Sequence, residues 1–156
     1  MPNEIERKFL VKHQLWNELK KHQGSWYRQG YLVVEPKQVI RVRQVPAKGF
    51  ITIKGSAVGI IRAEYEYEIP FDEAGELIDQ FAHSIISKTR YKINEHGKLW
   101  EIDVFDGDNE GLIIAEIELV SEHESFVKPE WLADEVTKEE KYYNYMLAAN
   151  PFNSWK

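Results

Sequence analysis

The sequence predicts a mostly β, α+β fold, in which about eight antiparallel strands form a barrel and amphipathic helices pack outside it. Three observations lead to this prediction. The chain has 156 residues, about the length of one domain, and we expect residues 1–156 to form a single unit. Charged and apolar residues alternate along segment after segment, as they do on strands with two unlike faces. Closing such strands into a barrel removes their exposed edges.

The first predicted strand, residues 4–11, sets the pattern for the rest of the chain. Successive side chains on a strand point to opposite faces, so Glu4, Glu6 and Lys8 share one face. A charged strand face is ordinary when it meets water. The same pattern returns in the later strands, however, and this repetition makes the charged face a candidate binding surface.

Seven further strands are predicted from the same alternation. Turn residues separate them, as at Pro46 to Gly49, Asn94 to Gly97 and Asp106 to Gly111. In chain order, these strands cover residues 27–34, 39–45, 50–55, 62–69, 87–93, 99–105 and 112–120.

Helical spacing predicts the segments that cover the apolar strand faces. Leu15, Trp16 and Leu19 indicate a short helix that closes at Gly24. Asp72 is the predicted N-cap of a second helix. The apolar stripe of that helix is Leu77, Ile78, Phe81 and Ile85.

Two capping boxes predict further helices near the C-terminus. Ser121 is followed by Glu124, and Thr137 by Glu140, so each pair can satisfy the first amide groups of a helix. The helix after Thr137 is expected to bury Tyr142, Tyr145, Met146 and Ala149.

Composition excludes several classes of function. The formal net charge of -6 argues against a nucleic-acid partner or an anionic membrane surface. The chain has no cysteine, and its five histidines are scattered, so any metal is expected to have oxygen ligands. No apolar run is long enough for a membrane span, and Glu4 and Glu6 interrupt the start of any signal peptide, so we expect a cytoplasmic protein. Whether the chain forms a homodimer is not readable from the sequence.

The charged strand faces together predict a hydrated cavity for a polyanion. Burying many charges as ion pairs adds little stability, because desolvation offsets the Coulomb attraction. Arginine and lysine suit phosphate oxygens, and carboxylates suit Mg²⁺ or Mn²⁺. The pattern therefore indicates phosphoryl transfer from a short polyphosphate. The residues of this face are Glu4, Glu6, Lys8, Arg41, Arg43, Lys54, Arg62, Glu64, Glu66, Lys88, Arg90, Asp103, Glu116 and Glu118.

An ordered series of motifs resembles the CYTH superfamily, the triphosphate tunnel metalloenzymes, in its short bacterial single-domain type. The segment at residues 4–8, EIERK, fits the ExExK signature of that family. The series continues in register through QGYL, RVR, IKG, RAEYE, KTRY, EIDVF and AEIEL. The resemblance covers nearly the whole chain and implies an eight-stranded antiparallel tunnel with a charged interior and helices outside.

The resemblance also implies roles for individual residues. The residues expected to bind the triphosphate substrate are Lys8, Arg41, Arg43, Lys54, Arg62, Lys88 and Arg90. Those expected to hold or support Mg²⁺ or Mn²⁺ are Glu4, Glu6, Glu64, Glu66, Asp103, Glu116 and Glu118. Lys8 and Tyr31 are the implied catalytic pair. A lysine base needs a lowered pKa, which neighbouring cations can provide, and a role for Lys8 as a phosphate clamp stays open.

The function expected from this resemblance is metal-dependent hydrolysis of a triphosphate. Inorganic tripolyphosphate is the favoured small-molecule substrate, because the short chain leaves no obvious insertion for a base pocket. Nucleoside triphosphatase, thiamine triphosphatase and class IV-type adenylate cyclase activity stay open. So does a polyphosphate- or nucleotide-binding module without turnover.

Overall fold

The computed structural model describes residues 3–155, which form a closed antiparallel barrel. Nine strands are present in this range: β1 Asn3–Val11, β2 Ser25–Glu35, β3 Gln38–Val45, β4 Lys48–Val58, β5 Ile61–Ile69, β6 Ser84–Glu95, β7 Lys98–Phe105, β8 Ile113–Glu118 and β9 Leu132–Glu135. The α-helices are α1 His13–Glu18, α2 Phe71–Phe81 and α3 Asn144–Ala149. The strand order around the barrel is β1, β8, β7, β6, β2, β3, β4 and β5, and β5 returns to β1.

Strand β1 closes the barrel by pairing with three strands. Its first residues lie against β5, where Glu4 is opposite Arg62. Its middle residues lie against β8, where Glu6 is opposite Glu118 and Lys8 is opposite Glu116. Its last residues pair with β9. The ExExK segment is therefore held between strands from both halves of the chain.

Apolar faces of the strands are covered on the outside of the barrel. On one side, Phe9, Trp16, Trp100, Ile117 and Trp131 form a buried cluster beneath α1 and the segment before β9. On the opposite side, α2 covers β2 to β4 through a smaller buried cluster. The residues of this smaller cluster are Val42, Ala74 and Ile78.

Helix α2 approaches the sheet closely because glycines lie at the contact. A Cβ atom on Gly49 of β4 would collide with the Cβ atom of Ala74. A Cβ atom on Gly75 would lie 2.6 Å from Nε2 of Gln44. Side-chain-free positions on both elements thus set the distance between them.

Part of the barrel interior is apolar. Tyr31, Val39, Ile86, Phe105 and Ile114 point inward and pack against the C-terminal segment. That segment contributes Tyr142 and Leu147 to the same cluster. The interior is therefore divided between an apolar part, filled by the end of the chain, and a charged part.

The predicted eight-stranded barrel with outer helices is confirmed, and several details of the elements differ from the prediction. Helix α1 ends at Glu18, and the helix predicted to start at Asp72 begins at Phe71 after Pro70, with no side-chain cap. Ile85, assigned to that helix, lies in β6, because the chain turns into a strand at Ser84. The ninth strand was not predicted.

The C-terminal capping boxes do not start long helices. Ser121 lies in a turn, where the carboxylate of Glu124 accepts a hydrogen bond from the amide of Val120. The hydroxyl of Thr137 accepts from the amide of Lys8 instead of capping a helix. A 3₁₀ turn at Glu140–Tyr142 and α3 follow. Tyr142 is buried as expected, whereas Ala149 is exposed. No helix within residues 3–155 is both long and apolar enough to cross a membrane.

Candidate active site

The charged part of the barrel interior encloses a cavity of about 460 Å³, which we call the barrel cavity. Ten cationic and seven carboxylate side chains line it. Every residue that the sequence assigned to substrate, metal or catalysis lines this cavity, with the exception of Asp103. The alternation along each strand explains the result, because side chains of one parity point into a closed barrel.

Two lysines lie among the carboxylates of the barrel cavity. Nζ of Lys8 lies 3.0 Å from Oε1 of Glu116 and 3.7 Å from Oε1 of Glu6. Nζ of Lys54 lies 3.0 Å from Oε1 of Glu4 and 3.4 Å from a carboxylate oxygen of Glu64. Each lysine therefore bridges two carboxylates that would otherwise repel each other.

The environment of Lys8 differs from the one expected for a lysine base. Burial alone would lower the pKa of Lys8, but the carboxylates of Glu116 and Glu6 outweigh it and raise that pKa. The neighbours of Lys8 are thus anions rather than cations, and the ammonium form is stabilised. This arrangement favours the second of the two expected roles, that of a phosphate clamp, over that of a base.

The pKa values of two neighbouring carboxylates, Glu6 and Glu116, are shifted in opposite directions. Burial raises the pKa of Glu6 to about 7, and the nearby carboxylates of Glu116 and Glu4 add to the effect. The pKa of Glu116 is held well below its usual range because Lys8, Arg90 and Lys88 outweigh the effect of burial. Glu6 is therefore a half-buried carboxyl group, and the effect of its negative neighbours exceeds that of Lys8 and Lys54.

Asp103 holds two cations from behind the cavity wall. Its Oδ1 accepts from Nε of Arg90 at 2.7 Å, and its Oδ2 accepts from Nη2 of Arg90 at 2.9 Å. Nζ of Lys88 lies 2.6 Å from the same Oδ2. Burial would raise the pKa of Asp103, but the two cations lower it to about 2. Both oxygens of Asp103 are thus engaged by cations, which favours a role in positioning Arg90 and Lys88 over the expected role as a metal ligand.

The arginines of β3 face the barrel cavity, where Nη2 of Arg41 lies 3.5 Å from a carboxylate oxygen of Glu66. Nη2 of Arg41 donates to Oγ1 of Thr52, whose hydroxyl donates to Glu66. Nε of Arg41 is buried without a hydrogen-bond partner among the described residues. Nε of Arg43 donates to Oε1 of Gln29 at 2.8 Å. A buried donor without a partner is costly, and an anion in the cavity would supply one.

Arg62 and Tyr31 form hydrogen bonds with neutral groups. The guanidinium of Arg62 donates to the carbonyl oxygen of Gly55 through Nε and Nη2. The hydroxyl of Tyr31 accepts a hydrogen bond from Nε2 of Gln29 at 3.2 Å. Lys8 instead lies 5.8 Å from the ring centroid of Tyr143. The expected Lys8–Tyr31 pair thus shares one cavity, while each partner has its own hydrogen bonds.

Several site residues were missed by the sequence analysis. The ring centroid of Tyr27 lies 4.8 Å from the guanidinium carbon of Arg43 and 5.0 Å from that of Arg90. Tyr27 shares the parity of Tyr31 on β2, and this signal was available in the sequence. Asn144 accepts a hydrogen bond from Nζ of Lys88 at 2.9 Å. Asn144 comes from α3, where no strand alternation marks it.

The remaining carboxylates fit a hard divalent cation by their chemistry. They supply oxygen donors, and burial together with like-charged neighbours raises the pKa of Glu4, of Glu6 and of Glu118. A divalent cation would relieve this repulsion. No three acidic or histidine side chains within residues 3–155 already converge as a ligand set.

A closed antiparallel barrel whose interior is lined by both cations and carboxylates is the arrangement expected for a triphosphate tunnel protein. The CYTH domain matches residues 2–146, and the chain belongs to the CYTH family. Two relatives are each described as an inorganic triphosphatase. That of Acetivibrio thermocellus is 45% identical over 157 residues, covering 100% of this chain and 99% of its own length. That of Nitrosomonas europaea is 37% identical over 150 residues, covering 93% and 96%.

Solved structures agree with this assignment. A crystal structure of an inorganic triphosphatase superposes with a TM-score of 0.66 at 33% identity, and the match covers 95% of both chains. A protein from Pyrococcus horikoshii, at 20% identity and a TM-score of 0.58, covers 76% of this chain and 80% of its own. The second match shows the shared fold alone.

Proposed function

We propose that the protein hydrolyses inorganic tripolyphosphate in the barrel cavity, with the help of Mg²⁺ or Mn²⁺. The observation that carries this proposal is a cavity of about 460 Å³ with ten cationic side chains on its walls. That volume suits a small ligand, and the charge suits a polyanion. The similarity to two inorganic triphosphatases over nearly the whole chain supports the same conclusion.

The basic side chains of the cavity would hold the phosphate chain. Nε of Arg41 is buried and has no hydrogen-bond partner in the described part of the chain, and Arg43 lies two residues further along the same strand. Burial and the charges of Arg41 and Arg90 lower the pKa of Arg43 to about 10. A bound anion would remove this repulsion among the cations. Lys54, Arg62, Lys88 and Arg90 complete the proposed substrate-binding set.

The acidic side chains would hold the metal. The proposed metal group is Glu4, Glu6, Glu64, Glu66, Glu116 and Glu118, which all line the cavity. When bound, a divalent cation neutralises phosphate charge and can supply an activated water for in-line attack. Asp103 is assigned a different role: it orients Arg90 and Lys88 toward the cavity.

Lys8 is proposed to act as a fixed positive charge. Its ammonium is held by Glu116 and Glu6, so it can contact a phosphate oxygen and stabilise the charge that develops there. Tyr31 is proposed to support the site through Gln29, which also accepts from Arg43. These roles replace the lysine base, because the surroundings of Lys8 raise its pKa.

Nucleotide functions are the second candidate. Nucleoside triphosphatase, thiamine triphosphatase and adenylate cyclase activity would each need a pocket for the base of the substrate. A binding module without turnover would need only the cations that hold the phosphates. Seven carboxylates on the cavity wall favour catalysis over binding alone.

The experiment is a comparison of phosphate release from tripolyphosphate, ATP and thiamine triphosphate, each with Mg²⁺, with Mn²⁺ and with chelator. We expect metal-dependent release that strongly favours tripolyphosphate. Cyclic AMP produced from ATP would instead support the cyclase. Tight tripolyphosphate binding without release in any sample would support the binding module.

A further inference from the structure

A second cavity, of about 230 Å³, lies beside the barrel cavity. We call it the rim pocket. It is bounded by residues 21–23 of the loop before β2, by Ser25 and Tyr27 of β2, and by residues 90–92 of β6. Tyr27, Arg90 and Lys92 also line the barrel cavity. The two cavities therefore adjoin at these three side chains.

The charge of the rim pocket differs from that of the barrel cavity. Its walls carry the cationic side chains of Lys21, Arg90 and Lys92, and none of the described residues that line it has a carboxylate. In the barrel cavity, by contrast, seven carboxylates lie among the cations. A hard metal ion finds no carboxylate ligand in the rim pocket, whereas an anion meets cations directly.

Two of these cations are fixed in place by the fold. Arg90 is 8% exposed and is oriented by its two hydrogen bonds to Asp103. Lys21 donates from Nζ to the carbonyl oxygens of Trp16 and Leu19 and lies 4.3 Å from the Trp16 ring centroid. Neutral groups hold Lys21, so its charge is not cancelled by a carboxylate.

Lys92 is the cation with the freedom to reach a ligand. Its side chain is exposed, and it has no ion pair within residues 3–155. Glu101 lies opposite it across the β6–β7 ladder, yet the Glu101 carboxylate contacts Nη1 of Arg90 at 3.3 Å. An anion that bridges the two cavities would therefore meet Lys92 without displacing an existing partner.

We propose that the rim pocket is a second anion subsite, which binds the distal phosphate of a linear polyphosphate with four or more units. The inference rests on the proposed function, because the first three phosphates of such a chain would occupy the barrel cavity. Arg90 and Lys92 belong to both cavities, so the chain stays in contact with cations as it passes between them. Lys92 is then a specificity-determining residue for chain length.

The test is calorimetric titration of tripolyphosphate and of linear tetrapolyphosphate, with chelator present so that neither chain is cleaved. We expect the wild-type protein to bind tetrapolyphosphate about tenfold more tightly, as one further charge-assisted contact provides. Lys92→Gln should weaken tetrapolyphosphate binding more than tripolyphosphate binding and so remove most of this advantage. The matched control is Lys20→Gln, because Lys20 is an exposed lysine of the same loop that does not line the pocket. It should keep the full advantage.

Three results would overturn the proposal. If the wild-type protein binds the two chains with equal affinity, the rim pocket is not a subsite. Tripolyphosphate binding in the same titration would still agree with the proposed function. If Lys92→Gln weakens the binding of both polyphosphates equally, Lys92 contacts ligands in the barrel cavity alone. If orthophosphate binds to the complex of the wild-type protein with tripolyphosphate, and Lys92→Gln abolishes this binding, the rim pocket binds a separate ion rather than the end of a longer chain. Failure of both chains to bind would instead contradict the proposed function itself.

Discussion

At the scale of single residues, the site depends on cations and carboxylates that hold each other in place. Lys8 lies between Glu116 and Glu6, and Lys54 lies between Glu4 and Glu64. Buried pairs of this kind contribute little net stability, because desolvation offsets their attraction. Their consequence is orientation: each ammonium is fixed on the cavity wall before a ligand arrives.

Lys8 is predicted to act through its charge rather than as a base. Lys8→Gln should lower kcat/KM for tripolyphosphate by about 10- to 100-fold, the equivalent of one lost charge-assisted hydrogen bond. Lys8→Arg keeps the charge and should retain more of the activity. Steady-state kinetics of the two variants measure the difference, and unchanged thermal unfolding serves as the control for folding. If Lys8→Arg is as inactive as Lys8→Gln, the charge is not what matters at this position.

Most residues of the cavity wall could be predicted from the sequence, because strand alternation places them. Arg41, Arg43, Glu116 and Glu118 share the inward parity of their strands and lie in the cavity. Asp103 has the same parity but is covered by Arg90 and Lys88, and parity does not report such contacts. The environment of Lys8 was equally out of reach, since it depends on the register of β1 against β8.

At the scale of elements, α2 and β9 illustrate two ways in which the barrel is supported from outside. Helix α2 lies close to β4 because Gly49 leaves room for Ala74. Strand β9 extends the sheet beside β1 and is tied to it by Arg7 and Glu135. The guanidinium of Arg7 also lies 5.0 Å from the ring centroid of Phe126.

Substitution of Gly49 tests the close contact between α2 and β4. Gly49→Ala should lower the free energy of unfolding by about 1–3 kcal/mol, because the added methyl group overpacks the contact with Ala74. Gly55→Ala is the matched control on the same strand, since its Cβ atom would meet Ala63 at an ordinary 3.6 Å. Urea denaturation of both variants provides the measurement. Equal stability of the two would show that the helix adjusts freely.

The ion pair between β1 and β9 predicts a dependence of stability on pH. Nη2 of Arg7 lies 2.5 Å from Oε1 of Glu135, and hydrogen bonding to Arg7 lowers the pKa of Glu135 below the ordinary value of 4.5. A lowered carboxyl pKa stabilises the fold above the unfolded value and loses this effect as pH falls through the folded value. Both side chains are partly exposed, so the contribution is about 0.2–1 kcal/mol.

Glu135→Gln should therefore lower the unfolding temperature at pH 7, and the difference from wild type should be smaller at pH 3. Thermal unfolding at both pH values provides the measurement. Glu110→Gln is the control, because Glu110 is exposed and has no ion pair within residues 3–155. A difference that persists unchanged at low pH would mean that the charge of Glu135 is not responsible.

The elements that the sequence did not predict are short and lack a regular apolar pattern. Strand β9 has four residues, LADE, of which only the first is buried. Its pairing with β1 is a long-range contact that no local signal marks. The capping-box motif at Thr137 was misleading for a related reason: its hydroxyl is engaged by the amide of Lys8, a partner 129 positions away in the chain.

At the scale of the whole molecule, the two kinds of barrel interior have separate tasks. The apolar cluster around Tyr31 and Phe105 joins the C-terminal segment to the strands and acts as an inner core. The charged part keeps a cavity of about 460 Å³ open for a ligand. The outer helices bury the opposite strand faces, so the molecule does not depend on its interior alone for a core. Alternation predicted this inside-out arrangement, whereas the division of the interior depends on where the C-terminal segment folds back.

The proposed function places the phosphate chain inside the barrel, and substitution of Arg41 tests this claim. The measurement is the affinity of tripolyphosphate, by calorimetric titration, for the wild-type protein and for Arg41→Gln. Because Nε of Arg41 is a buried donor without a hydrogen-bond partner within residues 3–155, we expect a loss of about tenfold or more. Lys37→Gln, at the exposed turn between β2 and β3, should bind like wild type. Equal affinity of wild type and Arg41→Gln would contradict the claim.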